Sequence, residues 1–359
     1  MPKVSIKPQW TIRLPDGQAL PARLVELLAQ VHAQGSLSAA CHEAGTSYRH
    51  AWDLIRQGEA LFGASLLQME RGKGSRLTAL GDKLVWADQR VTARLTPVLE
   101  SLASELETEI DSVLRTEQVL LRIHASHGFA IEMLFEFLAR QGVALDRKYC
   151  SSLEAPAALY DGACDLAGFH VPIGELELPA LRHYWRWLDP VNHCVIDIAT
   201  RRQGLMVAPG NPLKIYEAAD LARPAVRFIN RQRNSGTRFL LEGLLAQANV
   251  DAHRINGFEQ GEFTHAAVAA YVASGMADVG FGLETPARRF KLDFIPLASE
   301  RYFLMCQASI LEQPMLAQLL GILRSPAFQA AVDCLPGYDA RHAGRVQRLS
   351  DAFPSLAGD

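Results

Sequence analysis

Five arginines, at 223, 227, 231, 233 and 238, fall in a stretch from 223 to 241 that holds no Asp or Glu. Charge at that density calls for a counterpart: a nucleic acid, a small anion or solvent. The stretch closes on Asn234-Ser235-Gly236-Thr237-Arg238 and runs into apolar positions 240, 241, 244, 245 and 248, a helical spacing. A helix anchored by that stripe turns Ser235, Gly236 and Thr237 outward at its N-terminus, where unpaired N–H groups and the helix dipole favour an anion. Arg238, in the first turn, adds a charged donor. The same Ser-Gly-Thr is also an ordinary N-cap, and arginines commonly lie in water. The loop alone leaves both readings open.

Two other loops repeat the pattern. Ser126-His127-Gly128 follows the apolar run VLLRIHA, and Thr264-His265 opens AAVAAYVASG. The elements that must position these loops are legible from residue 117 onward. VLLRIHAS, a helix over 128–140, DRKYCSS, a helix ending near Gly162 and CDLAGFHV follow a βαβαβ order, which predicts a parallel sheet covered by helices. A second set comprises HCVIDIAT, GLMVAPG and AVRFIN as strands, a helix over 237–248, HRINGF as a strand, a helix over 264–274, and ADVGFG. FIPLASERYFLMCQ reads as a return strand, with helices after Pro314. Two α/β halves joined by a return crossing predict two lobes around a cleft, with the three loops at the carboxyl ends of strands, where ligands sit in such sheets.

The N-terminal part has a different texture. After a strand-like 10–14 and the turn Pro15-Asp16-Gly17, positions 20, 24, 27, 28 and 31 repeat as a helix that Gly35 ends. Ser36 caps LSAACHEAG, and Thr46 or Ser47 caps YRHAWDLIRQGEALFG, an arrangement of helix, tight turn and helix that suits entry into a DNA major groove. Ala51, Leu54, Ile55, Ala60 and Leu61 are expected inside, leaving Ser47, Tyr48, Arg49, His50 and Arg56 outside; Trp52 fits either side. LLQMERGKGSRLT then reads as a hairpin whose tip carries Arg71, Lys73 and Arg76 without an anion, as a phosphate-contacting wing requires. From Thr78, apolar residues at 80, 84, 91, 95, 99, 102, 106, 110 and 113 predict a long dimerising helix, with Pro97 kinking or dividing it.

GSLSAACHEAGTSYRHAWDLI followed by ERGKGSRLTALGDKLV resembles the winged helix of the molybdate-dependent regulator ModE and, more distantly, of LysR-type regulators. That resemblance implies a DNA-binding dimer with Ser36, Ser38, Ser47, Tyr48 and Arg49 near the DNA and 71–76, including Ser75, as the wing. GLMVAPGNP, RFINRQRNSGTRFLLEGLLAQA, THAAVAAYVASGMADVGFG and GACDLAGFH resemble the periplasmic-binding-protein-like domain fused to such heads. It implies an effector pocket lined by Ser126, His170, Ser235, Thr237, Arg238 and Thr264, to which the loops add His127, Asn234, Gly236 and His265. Asn234 stands where glycine is expected. The ModE likeness implies molybdate or tungstate as effector. The same donors suit a small carboxylate such as formate, whose oxidation often involves a molybdenum enzyme, so genes of such an enzyme are the expected targets.

Composition sets the frame. With 359 residues, 49% apolar and 21% charged, the chain reads as a multidomain soluble protein. Divisions are expected at 1–77 (winged helix-turn-helix), 78–116 (linker helix) and 117–350 (two-lobed α/β effector domain). Residues 1–77 hold nine Lys/Arg against six Asp/Glu, hence +3, which leaves −6 elsewhere from a net −3. No signal-like stretch and no run of eighteen apolar residues occurs, so a cytoplasmic location off the membrane is expected. Six scattered cysteines without a C-x-x-C pair read as thiols. No G-x-S-x-G, H-E-x-x-H, P-loop or G-x-G-x-x-G appears, and His124-x-x-His127 lacks further ligands. The expectation is therefore no catalytic residue, no metal and no cofactor, but a DNA operator with two-fold half-sites, a small anion and a homodimer or homotetramer. An enzyme or an exported solute-binding protein on the same fold is the rival reading.

Overall fold

The computed structural model describes residues 4–70, 74–114 and 120–354. Two compact units divide between Leu95 and Thr96; one runs from Lys7 to Leu95 and the other takes the rest of the described chain.

In the first unit, Gly35 adopts φ 66° and donates its N–H to Val31 O at 2.8 Å, ending α1 (Ala22–Gln34) as a left-handed cap. Ser36 Oγ accepts from Ala39 N–H and opens α2 (Leu37–Glu43). Ser47, not Thr46, caps α3 (Tyr48–Phe62) by accepting from His50 N–H at 3.2 Å. Leu24, Leu28, Val31, Leu37, Ala51 and Ile55 form a dry core, which Leu54 also joins. Ala60, expected inside, is exposed; Gly58 is buried instead, because its missing side chain lets Leu24 and Leu66 close over the helix. Trp52 is half-buried against this core, edge-on to Tyr48. The expected strand at 10–14 is a single bridge, Arg13 to Ala19. Its side chains serve packing instead: Trp10 and Ile12 rest on the core, and Trp10 Nε1 donates to Asp88 at 2.9 Å. A hairpin of β1 (Leu67–Glu70) and β2 (Gly74–Leu77) pairs from Leu67–Leu77 to Glu70–Gly74.

Helix α4 (Ala79–Leu114) is continuous through Pro97, so the proline does not divide it. Leu84 and Val85 belong to the first unit's core. From Thr96 on, the helix uses its polar face: Ser101 Oγ accepts from Tyr149 N–H at 2.9 Å and Ser104 Oγ from Arg147 N–H at 3.0 Å. These bonds cover the otherwise open edge of a sheet. Its apolar row, Leu95, Val98, Leu102, Leu106 and Ile110, is left exposed.

The second unit is built on one mixed sheet. β3 (Leu121–Ala125), α5 (Phe129–Arg140), β4 (Leu145–Tyr149), α6 (Glu154–Tyr160) and β5 (Leu166–Pro172) make the predicted parallel half. After α7 (Glu177–Tyr184), HCVIDIAT and GLMVAPG are not two strands but one of fifteen residues, β6 (His193–Val207). The polar residues between the two runs continue the extended backbone, with Arg201 and Gln203 alternating inward. β7 (Phe228–Arg231), α8 (Gly236–Gln247), β8 (Gly261–Glu262), α9 (His265–Ala273) and β9 (Val279–Leu283) form the second half. HRINGF is not a strand: it holds a 3-10 turn, and Gly257, at φ 95°, lies against the Phe228 carbonyl, closer than a side chain would permit. After α10 (Glu284–Arg289), the return strand β10 (Asp293–Gln307) pairs antiparallel with β6 along its length. The strand order is β4-β3-β5-β10-β6-β9-β7-β8. Helices α11 (Pro314–Leu323) and α12 (Pro326–Asp333), strands β11 (Tyr338–Asp339) and β12 (Val346–Arg348) on β6, and α13 (Leu349–Ala352) complete it. Separate apolar clusters cover both faces of each half. The fold is thus a helical winged helix-turn-helix with a long helix, followed by a two-lobed α/β domain. Among the described residues no helix is long and apolar enough to cross a membrane.

Candidate anion-binding site

The loops at the carboxyl ends of β3, β4 and β7 meet the crossing strand β6 around one small cavity of about 20 Å³. Space of that order holds one or two water-sized groups. Ser126 and His127 come from the β3–α5 loop, Ser151 and Ser152 from the loop after β4, His170 from β5, and Arg231 from the end of β7. Ser235, Gly236 and Thr237 open α8, and His265 opens α9. Arg201 arrives from the middle of β6.

Two buried guanidinium groups dominate this space. Arg201 is 2% exposed and its Nε donates to Glu300 Oε1 at 2.5 Å, across a direct β6–β10 pairing. Burial disfavours its charge, but Glu300 outweighs that and raises its pKa. Gln203 Nε2 braces the same carboxylate at 2.7 Å and reaches Thr237 Oγ1 at 3.2 Å. Arg231, 8% exposed, has only carbonyl partners: Glu262 O at 3.3 Å and Phe263 O at 2.8 Å. Burial first, then Arg201, pulls its pKa down to about 9. The Nη1 atoms of both arginines are buried without a hydrogen-bond partner. One carboxylate between two cations leaves a positive charge out of water, which is costly until an anion supplies the missing partner.

Neutral donors surround them. Ser126 Oγ lies 2.6 Å from His170 Nε2, and Tyr302 Oη donates to Ser126 O at 3.4 Å. Burial, then Arg201 and Arg231, holds His170 well below the usual histidine range; His265 is lowered by burial and by Arg231 before Arg201. His265 Nδ1 accepts from Leu283 N–H at 3.3 Å, which places the neutral ring's proton on Nε2. Among the described residues no three His, Cys, Asp or Glu side chains are grouped to hold a metal ion.

The cavity gathers Ser126, His127, His170, Ser235, Gly236, Thr237 and His265 from the expected set, and leaves out three. Arg238 turns away: its Nε donates to Glu242 at 3.0 Å, one helical turn on, and its Nη2 to Glu259 at 3.2 Å. Thr264 Oγ1 is occupied as the α9 cap, accepting from Ala267 N–H at 3.0 Å. Asn234 lines a neighbouring cavity with Arg238. It takes φ 66°, the left-handed conformation that glycine prefers and asparagine tolerates. Arg201, Gln203 and Glu300 escaped the sequence reading. The available signal was a polar pair spaced by two, Arg201 and Gln203, between apolar runs.

The arginine-rich stretch resolves into a sorting of partners. Arg227 pairs with Asp278 at 2.7 Å, Arg233 with Glu259 at 2.7 Å, and Arg238 with Glu242 and Glu259. Arg223 donates to Leu213 O at 2.6 Å and lies 3.7 Å from Asp220. Only Arg231 of the five faces a cavity with no carboxylate bonded to it.

In the first unit, Ser38, Ser47, Tyr48, Arg49, His50, Arg56 and Arg76 are exposed and Ser36 is half-buried. Ser75 is 2% exposed and its Oγ accepts from Leu37 N–H at 3.3 Å, so it ties the hairpin to α2 rather than facing a phosphate. Arg71 and Lys73 lie outside the described residues.

Residues 135–324 match the PBP superfamily domain, and residues 22–82 match the bacterial regulatory helix-turn-helix protein, lysR family. The chain is 33% identical over 203 residues to the uncharacterized protein YvgK of Bacillus subtilis (strain 168), covering 56% of this chain and 64% of that protein, just under two thirds of the relative's length. It is 32% identical over 121 residues to the molybdenum-pterin-binding protein MopB of Rhodobacter capsulatus, covering 33% of this chain and 44% of that one. Among solved structures, CbnR, a LysR family transcriptional regulator, aligns at 16% identity with a TM-score of 0.39, over 83% of this chain and 98% of that one. With the PBP superfamily domain at 135–324 and the lysR-family helix-turn-helix ahead of it, the chain belongs to the PBP superfamily and has the architecture of LysR-type regulators.

Proposed function

We propose that the chain is a one-component transcription regulator, not an enzyme, in which a compact anion held between Arg201 and Arg231 controls DNA binding by residues 1–77. The observation that carries the reading is the buried, carboxylate-free Arg231, whose Nη1 has no partner. Donors converging from β6, β7 and the β3–α5, β4–α6 and β7–α8 loops suit a tetrahedral oxyanion of the molybdate or tungstate type. Similarity to the molybdenum-pterin-binding protein MopB supports the same class. A small carboxylate such as formate is the second reading, since the same donors can accept it; a molybdenum enzyme such as formate dehydrogenase is the corresponding target.

Ser36, Ser38, Ser47, Tyr48, Arg49, His50, Arg56 and Arg76 form the proposed DNA surface, and the exposed apolar row of α4, in 78–116, the dimer contact within a dimer or tetramer. A two-fold dimer calls for two-fold-related half-sites in the operator. The effector domain, 117–350, has a polar route to α4. His127 lines the cavity, its Nε2 lies 2.7 Å from Glu132, and Glu132 in turn raises the pKa of Glu100 on α4, after burial. An anion that binds one lobe arrangement better than another shifts the equilibrium between them.

The test is a thermal-shift and calorimetry panel of molybdate, tungstate, sulfate, phosphate and formate, with operator binding measured in parallel. A concentration-dependent rise in melting temperature, lost in Arg231→Met, supports the reading. Binding that survives Arg231→Met sinks it.

A further inference from the structure

We propose that the anion in this cavity is the head of a larger ligand whose body is a neutral, planar, ring-bearing group, seated in a second cavity alongside. The inference rests on the anion reading above. The second cavity, of about 250 Å³, shares Ser152, Ser235 and Gly236 with the first, so the two meet at the N-terminus of α8. Gly236 lies at their junction, where a side-chain carbon would come within 3.3 Å of Ser152 Oγ.

The second cavity is chemically unlike its neighbour. Its two cations, Arg233 and Arg238, are matched by Glu242 and Glu259, so no positive charge is left over for a second anion. Its walls carry rings instead. Phe239, in the first turns of α8, joins none of the apolar cores among the described residues and meets His183 edge-on at 4.0 Å between centroids. Tyr184, buried, lines the same space with Leu153. An aromatic side chain left out of every core and set against a cavity offers a face for a ligand ring. An apolar cavity of about 150 Å³ is enough for a benzene-sized group. A free inorganic oxyanion occupies only the first cavity and leaves this surface unused; a phosphate, sulfate or carboxylate carrying a ring uses both.

Calorimetry on the full chain with inorganic phosphate and phenyl phosphate tests this. Phenyl phosphate is expected to bind at least tenfold more tightly, about 1.4 kcal/mol. Phe239→Ala is expected to bring the two probes within twofold of each other, with His183→Ala moving them the same way by less, and Arg231→Met to weaken both by roughly 30- to 150-fold. Equal affinities in the unmodified protein, or a preference that persists in Phe239→Ala, overturn the inference and leave the anion reading intact. Failure of both probes to bind overturns the two together. Phe239 lies outside the cores, so its variant is expected to melt as the parent does.

Discussion

Arginine stands in opposite environments in the two units of this chain. On α3, Arg49 and Arg56 stand in solvent, where water and salt soften their charge and a repeating polyanion is a fitting partner. Beside β6 and β7, Arg201 and Arg231 are removed from water, where charge is neither hydrated nor screened and one compact counterion is worth far more. Surface arginines cost the fold little and contribute weakly one by one. The buried pair leaves one guanidinium without a carboxylate out of water, and the proposed anion response rests on that cost.

Arg231→Met should produce the largest effect. Oxyanion affinity is expected to fall by about 2–3 kcal/mol as a charged hydrogen-bond donor is lost, while the unliganded protein gains about 1 kcal/mol or more from removal of an uncompensated buried charge. Calorimetry and denaturant unfolding without ligand read the two halves; a variant less stable than the parent when empty would erase the contrast drawn here.

The buried side of the comparison also carries a pH signature. His170 is held below the usual range, so below about pH 6.5 the unfolded chain binds a proton that the folded chain does not, and stability falls with falling pH by up to about 1.4 kcal/mol per unit. Unfolding curves from pH 7.5 to 5.5 should show this slope, reduced in His170→Gln. A parallel slope in that variant would assign the effect elsewhere.

On the exposed side, Arg49→Ala is expected to weaken operator binding by about 1 kcal/mol and to lower the slope of log affinity against log salt by about 1 if it meets a phosphate. An unchanged slope removes it from the phosphate contacts. Arg238→Ala should be the smallest: anion affinity within about 0.5 kcal/mol of the parent, because Glu242 and Glu259 already hold its buried guanidinium and it does not line the cavity. A loss as large as that of Arg231→Met would mean that Arg238 swings into the cavity on binding.

Arg238 and Arg201 show what could and could not be foreseen. Arg238 looked like the ligand donor because it opens a helix whose stripe is plain in the sequence. Glu242 is four residues on and Glu259 twenty-one, so the first partner was within sight and the second was not. Arg201 was missed for the complementary reason. Its polar neighbours interrupt an apolar pattern, so one strand read as two, and the residues at the interruption are those that face the site.

Local signals settled the helix-turn-helix. Ser36 and Ser47 as caps, Gly35 and Gly63 as left-handed stops, and the apolar spacing between them act over a few residues, where side chain and backbone meet irrespective of the rest of the chain. The parallel order of the first lobe and the return strand were visible as alternating periodicities, whereas in the second lobe one strand read as two and HRINGF read as a strand that it is not. Which arginine keeps its charge available was decided only by folding, because a counterion is chosen by distance in space. Glu300 meets Arg201 across 99 positions of chain, Asp278 meets Arg227 across 51, and no carboxylate is bonded to Arg231. That vacancy is a property of the packed sheet and has no local trace in the residues around it.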